Sequence, residues 1–292
     1  MLHSAFIKHI EDICSRIEHK PVRLRAYERV SGGDINNTYR LAMSDRDYFV
    51  KINTANKLDM FEKEADGLKL LSESQSFVVP QVYRTGVFEQ YAFLLLEYIE
   101  ALYQTENPKN FAESLAKLHQ KTNDQYGLSY DNYIGRLPQK NDFNTNWIDF
   151  FVKNRLQFQI SLAGDLIPVS ILHQFERLYQ KLPELLWIDR PALVHGDLWS
   201  GNYFYNLQGK AVVFDPAVYY GHREIDLAMM QLFGGFSPQI YEYYQDLLPM
   251  ESDWQERLKI YQLYPLLAHV NLFGTSYLSG ISRILSYFVG NI

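Results

Sequence analysis

At 292 residues, with 47% hydrophobic and 15% aromatic side chains, the chain is longer than one average domain and can bury a sizeable core. Its net charge is −6 and its Lys and Arg are scattered singly, so no basic stripe follows a phosphate backbone and nucleic acid is not expected as a partner. Cys14 is the only cysteine, which excludes an intramolecular disulfide and a thiolate-built zinc cluster and makes a reducing compartment, the cytoplasm, the expectation.

Residues 4–18 set Ile7, Ile10, Ile13 with Cys14, and Ile17 at helical spacing. The charges mixed among them argue against the continuous apolar run of a secretory signal. The period then changes. YERV, TYRLAM and YFVKI alternate or are β-branched and aromatic, and SDRD between the last two is a turn, which predicts antiparallel strands. From Asn56 the run KLDMFEKEADGLKLLSE returns to a helix, and VVPQVYRTGV and YAFLLLEYI supply two more strands. The first third of the chain is therefore expected to be an antiparallel sheet with one inserted helix.

Beyond Ala101 the pattern is mostly helical. PKNFAESLAKLHQK and NTNWIDFFVKNRLQFQISLA read as amphipathic helices, and the last seventy or so residues read almost wholly as helix. The least polar stretch, 264–290, is broken by Pro265, His269, Asn271 and Arg283, so core helices are expected rather than a membrane span. Between Pro191 and Ala217 the runs ALV, YFYN and AVVF are short strand candidates, with Gln208 and Gly209 as a turn. The predicted division is 1–99 as a nucleotide-binding lobe and 100–292 as a catalytic and substrate-binding lobe.

Acidic and amide residues gather at the ends of that strand cluster. In HGDLWSGN, Asp197 and Asn202 flank a tight loop, and Asp215 follows the strand AVVF. Phosphoryl transfer from ATP needs Mg2+ to offset phosphate charge, hard oxygen ligands to hold it, and a carboxylate to orient and deprotonate the attacking hydroxyl. This spacing can supply all three. Lys51 lies inside the strand YFVKI, where a buried ammonium needs a partner. Glu64 on the following helix can be that partner, and the pair would aim the ammonium at nucleotide phosphates. Gly32 and Gly33, in VSGGDINNTYRL, can let backbone N–H groups approach phosphate oxygens, although an ordinary hairpin turn explains them equally well. In LLLEYIEA the chain is expected to cross between lobes, with the carbonyl of Glu97 and the N–H of Ile99, on either side of Tyr98, placed to meet an adenine edge.

HGDLWSGN, FDPAVYYGHREIDLAMMQLFGGF, DNYIGRLPQKN with the later Trp147 and Phe150–Phe151, and YQLYPLLAHVNLFG together resemble the fructosamine kinase family, within the aminoglycoside phosphotransferase-like branch. The resemblance runs from about Ser31 to the C-terminus. It implies an α+β, protein-kinase-like bilobal fold and ATP-dependent phosphorylation of the 3-hydroxyl of ketoamines, the sugar adducts of lysine and other amines. On this resemblance Asp197 is the base, Asn202 and Asp215 hold Mg2+, Lys51 binds phosphate with Glu64 as its partner, and Asp226 braces the loop. His195 matches the loop histidine that shapes the backbone. Trp199 is open to two roles, stacking on substrate or packing under the loop. His222 and Glu224 are candidates to touch substrate or to order the segment after Asp215.

Departures from protein kinases can be read physically. HGD stands for HRD, so the arginine that would receive an activation-loop phosphate is missing, and the short stretch from Asp215 to Asp226 leaves no room for a peptide-docking platform. A small-molecule acceptor, free or as a glycated lysine, is expected. Many members of the family carry a cysteine in the glycine loop that can pair between subunits; Asp34 stands there, so that disulfide dimer is not available, and the oligomeric state is left open. Three alternatives are weighed: the same fold acting on an aminoglycoside or amino alcohol, a nucleotide-binding scaffold without catalysis, and a transition-metal hydrolase built on His195, Asp197, Asp215 and His222. The last leaves Lys51 and Glu64 unexplained.

Overall fold

The computed structural model describes residues 2–30, 35–102 and 106–290. The chain opens with helix α1 (Ser4–Ile17), followed by strands β1 (Leu24–Arg29), β2 (Asn37–Met43) and β3 (Asp47–Thr54), helix α2 (Leu58–Ser74), and strands β4 (Val82–Phe88) and β5 (Tyr91–Glu97). The five strands form one antiparallel sheet in the order β1-β2-β3-β5-β4. Both of its faces are covered. Phe93 and Leu95 of β5 pack with Val50, Phe6, Ile10 and Cys14 on the α1 side, while Leu94 and Leu96 pack with Met60, Phe61 and Leu68 of α2. A strand buried on two faces has no polar side to show, which is why β5 reads as the unbroken run LLL.

The chain leaves the sheet after Glu97 and pairs at Ala101 with Asn206 in the second lobe. That lobe contains α3 (Pro108–His119), the hairpin β6 (Asn132–Ile134) and β7 (Leu137–Gln139), α4 (Trp147–Phe150) running through a π-helical stretch, Phe151–Gln157, into α5 (Phe158–Ala163), and α6 (Val169–Leu185). Then come β8 (Ala192–Val194), the hairpin β9 (Tyr203–Tyr205) and β10 (Ala211–Val213), β11 (Tyr219–Gly221) and helices α7 (Glu224–Phe233), α8 (Pro238–Leu247), α9 (Trp254–Tyr261), α10 (Leu263–Phe273) and α11 (Leu278–Val289). No described helix is long and apolar enough to cross a membrane.

Three details differ from the sequence expectation. ALV does not join the YFYN and AVVF hairpin: β8 pairs antiparallel with β11, a strand hidden in the turn-like sequence YYG. DNYIGRLPQKN folds into the hairpin β6–β7, with strands too short for an alternation to register. The amphipathic stretch from Trp147 to Ala163 is continuous but passes through the wider π coil, which a 3.6-residue pattern cannot distinguish.

A second contact seams the lobes beside the crossing. The Val78 N–H donates to the Ala211 carbonyl (3.0 Å) and the Val213 N–H to the Val78 carbonyl (3.0 Å), so β10 extends toward the first lobe. Gly67 of α2 lies against Pro216 and Val218, where a methyl group would meet Pro216 Cγ at 3.2 Å. The segment after Asp215 is therefore held against the inserted helix.

Candidate active site

The loop after β8 is shaped by groups that reach it from elsewhere. Gly196 has φ +82°, and a Cβ there would lie 2.1 Å from the Ala217 carbonyl oxygen, so only glycine fits. Asp226, in the first turn of α7, accepts the His195 N–H at Oδ2 (2.8 Å) and the Gly196 N–H at Oδ1 (2.9 Å), while His119 Nε2 lies 3.2 Å from the same Oδ2. His195 Nδ1 accepts the Asp197 N–H (3.3 Å), which leaves Nε2 to donate to the Phe214 carbonyl (3.1 Å). Burial holds this imidazole below its usual pKa, so the ring is a neutral strut between the segments that carry Asp197 and Asp215.

Asp197 follows directly. Asn202 Nδ2 donates to the Asp197 carbonyl (2.8 Å) and to its Oδ2 (3.1 Å), which turns the Asn202 amide oxygen away from Asp197. Burial, reinforced by the charge of Asp215 and opposed by the Asn202 hydrogen bond, pushes the Asp197 carboxyl up to about 7. Asp215 adopts φ +53°, a left-handed conformation that asparagine and aspartate tolerate better than bulkier residues.

Lys51, on β3, is buried and spans the lobes. Its Nζ lies 2.7 Å from Glu64 Oε1 on α2, as an ion pair without hydrogen-bond alignment, and it donates to Asp215 Oδ1. Burial alone would lower its pKa, but the carboxylates of Asp215 and Glu64 more than offset this and hold the ammonium charged.

These side chains open onto one cleft of about 670 Å³. Lys51, Glu64, Asp197, Asn202 and Asp215 lie on its lining with Trp199, which is 37% exposed and so is not packed in the core. The aromatic part of the lining beyond Trp199 was not read from the sequence as part of a site. Phe233 ends α7, His269 and Phe273 lie on α10, and Tyr277 ends the 3-10 turn that follows Gly274; the His269 ring is 4.7 Å from Phe233, 5.3 Å from Phe273 and 4.9 Å from Tyr277. Their helical spacing looks like ordinary core, and only their exposure on a shared cavity reveals them.

The remaining candidates fall elsewhere. Gly32, Gly33 and Asp34 lie outside the described residues. Glu97 ends β5, with Tyr98 and Ile99 at the crossing, beyond the lining of this cavity; the Arg40 guanidinium sits 4.6 Å over the Tyr98 ring. His222 and Glu224 do not reach the cleft, which corrects the expectation that they could touch substrate. His222 is buried and stacked on Tyr261, its pKa driven down to about 3 by burial and by Arg223 and Arg257. Glu224 is buried in an ion pair with Arg257 at 2.6 Å. Their polarity made them look like surface chemistry, whereas α7 and α9 enclose them. No group of three or more His, Cys, Asp or Glu side chains converges as a metal site among the described residues, so the transition-metal alternative lacks its constellation.

The profile of the fructosamine kinase family matches residues 6–290. A probable ketoamine kinase of Enterococcus faecium is 47% identical over 264 residues, covering 89% of this chain and 94% of that protein, and one of Escherichia coli K12 is 36% identical over 85% of this chain and 87% of its own. A crystal structure from Haemophilus somnus, provisionally named a fructosamine-3-kinase, is similar with a TM-score of 0.86 at 31% identity over 96% of each chain. An aminoglycoside phosphotransferase crystallised with AMP-PNP and hygromycin B shares the fold alone, with a TM-score of 0.66 at 16% identity over 97% of this chain and 99% of that one. A phosphotransferase fold with an acid-and-lysine cleft, matched nearly end to end by one profile and by relatives at this level of identity, leaves one assignment: the chain belongs to the fructosamine kinase family.

Proposed function

We propose that this chain transfers the γ-phosphoryl group of ATP to the 3-hydroxyl of a ketoamine. The observation that carries the reading is the position of Asp197, in one cleft with Lys51, Asp215 and an uncharged aromatic wall. The wall is formed by Trp199, Phe233, His269, Phe273 and Tyr277, and the acids on the described lining are Glu64, Asp197 and Asp215. A polycationic aminoglycoside calls for further carboxylates to meet its ammonium groups. A ketoamine, with one amine and one sugar, is matched by aromatic faces on which the sugar can stack. His269 Nδ1 donates to the Pro265 carbonyl at 2.7 Å, which leaves Nε2 as the acceptor for an N–H or hydroxyl of the substrate.

Asn202 and Asp215 would hold Mg2+. The fit is supported by the Asn202 amide, whose nitrogen is committed to Asp197 so that its oxygen is the free donor, and by the half-exposed Asp215 carboxylate: both are hard oxygen donors. When bound, the ion supplies positive charge against the phosphate oxygens. Asp197 accepts the proton of the attacking hydroxyl, its carboxyl held above the usual carboxylate range chiefly by burial. Lys51, anchored by Glu64, binds phosphate oxygens, and the crossing at Glu97–Ile99 receives the base. Catalysis then rests mainly on positioning and charge.

The test is purified protein with ATP, Mg2+ and fructoselysine or ribuloselysine, followed by phosphorus NMR. A sugar 3-phosphate is expected, and Asp197→Asn should lower kcat by roughly 10²–10⁴-fold, the range of general-base catalysis, while nucleotide still binds. Phosphorylation of a different hydroxylated metabolite, with ketoamines untouched, would sink the substrate assignment. Unchanged function in Asp197→Asn would favour a scaffold.

A further inference from the structure

Arg155 presents a problem that packing does not answer. Its side chain, on the π-helical stretch, is 0% exposed, and among the described residues it makes no ion pair with a carboxylate. Its direct contacts are neutral groups: NH1 donates to the Lys140 and Asn154 carbonyls, NH2 donates to Asn141 Oδ1 at 2.8 Å, and the guanidinium lies 3.9 Å over the Tyr219 ring and 4.7 Å over that of Phe150. An apolar side chain would fill this aromatic site without desolvating a charge.

We propose that Arg155 is a positioning residue for Asp215, acting through a one-way relay of buried amides. The inference rests on the reading of Asp215 as a Mg2+ ligand. Arginine can only donate, so it fixes which atom of Asn141 faces it. Asn141 Nδ2 then points onward and donates to Asn132 Oδ1 (2.8 Å), an oxygen that also accepts from Gln139 Nε2 (2.8 Å). With its oxygen engaged, Asn132 turns Nδ2 to the Val218 carbonyl (2.8 Å), and Gln139 Nε2 reaches the Ala217 carbonyl (3.0 Å). The Tyr264 hydroxyl donates to Gln139 Oε1 (2.6 Å), which closes the only other way that amide could turn.

The relay therefore ends on two consecutive carbonyls just past Asp215. The Ala217 N–H, bonded to the His195 carbonyl at 2.9 Å, pins the same turn from the catalytic loop. Asp215 needs such restraint, because its left-handed backbone is held by what surrounds it rather than preferred by its own side chain. Asn132, Gln139 and Asn141 are all buried, so water cannot replace a missing link. Donor polarity thus runs from one guanidinium to the turn that aims the Asp215 carboxylate.

The test compares ADP affinity by calorimetry in Mg2+ and in EDTA, together with kcat, acceptor KM and the thermal midpoint. Arg155→Met removes the donor and keeps an apolar filler of similar length. The expected result is a folded protein whose metal-free ADP affinity is within twofold of wild type, whose Mg2+-dependent gain falls at least tenfold, and whose kcat falls while acceptor KM holds. Arg155→Lys, still a pure donor, should restore part of the gain. If Arg155→Met does not fold, Asn141→Asp serves instead: it keeps a partner for Arg155 but cannot donate to Asn132, and it should show the same loss. A folded variant that is less heat-stable yet retains the Mg2+-dependent gain and kcat would make Arg155 a packing residue and overturn the proposal. A wild type with no such gain, or Asp215→Asn that retains it, would instead show that the metal reading of Asp215 fails, and the proposal falls with its premise.

Discussion

The indole of Trp199 folds back over Gly201, and a Cβ at that glycine would lie 2.2 Å from the ring. WSGN is thus a single device in which the small residue makes room for the large one to lie at the cleft edge-on to Phe233, with ring centres 6.5 Å apart. Gly201→Ala must push the indole aside. If the ring stacks on the acceptor, the lost aromatic contact of about 0.5–1.5 kcal/mol should raise acceptor KM roughly two- to tenfold. ATP KM should stay within twofold. Trp199→Ala should give a similar increase, and adding Gly201→Ala to it should change little more, because the clash is gone. Steady-state kinetics on the two singles and the double variant checks this, and additive effects would show that Gly201 acts by another route.

At the scale of elements, α7 matters for its first turn. Asp226 there binds two loop N–H groups and faces His119 from α3, which joins two helices to the strand that carries the Asp197 loop. Hydrogen bonds to a buried charge are worth about 1.5–3 kcal/mol each, so Asp226→Asn, which replaces one acceptor by a donor facing an N–H, should cost at least about 2 kcal/mol. Urea unfolding should show that loss together with a fall in kcat. Asp226 was legible in the sequence because its family motif marks it. His119 was not, since one histidine at the end of an amphipathic helix reads as a solvated last-turn cation.

The same contrast separates the halves of the site. Lys51, Asp197, Asn202 and Asp215 could be read because ionic chemistry inside apolar strands or tight loops is costly and so needs a reason. Arg155, Gln139 and Asn141 could not, because a polar residue on a helix or short hairpin is normally on the surface, and only burial distinguishes it. The sheet was legible from its alternation, and β8 and β10 as short apolar runs; β6, β7 and β11, equally short, contain asparagine, proline or glycine and show neither a run nor a period.

For the molecule as a whole, imidazoles buried wholly or in part tie stability to pH. His195, His222 and His269 all have pKa values lowered by burial. A histidine with a depressed folded pKa contributes its full stability above the unfolded value near 6.5 and loses it as pH falls, because only the unfolded chain takes up the proton. Each group can therefore steepen the decline by up to about 1.4 kcal/mol per pH unit. Urea unfolding at pH 7.5 and 5.5 should show a clear loss at the lower pH. His222, hemmed in by Arg223, Arg257 and His119, keeps resisting protonation to about 3, so His222→Phe, which preserves the stack on Tyr261, should flatten the slope. An unchanged slope would assign the acid sensitivity to other groups.

Cys14 lies wholly buried where α1 meets the sheet, and its thiol is pushed up to about 12 by burial. The only cysteine of the chain is therefore silent in the closed protein and reactive once the first helix lifts away. Labelling with a thiol reagent becomes a clock for that one event: its rate counts openings of α1 from the sheet with no engineered probe. Slower labelling in saturating ATP would measure directly how far the nucleotide quiets a helix that contributes no residue to the cleft lining.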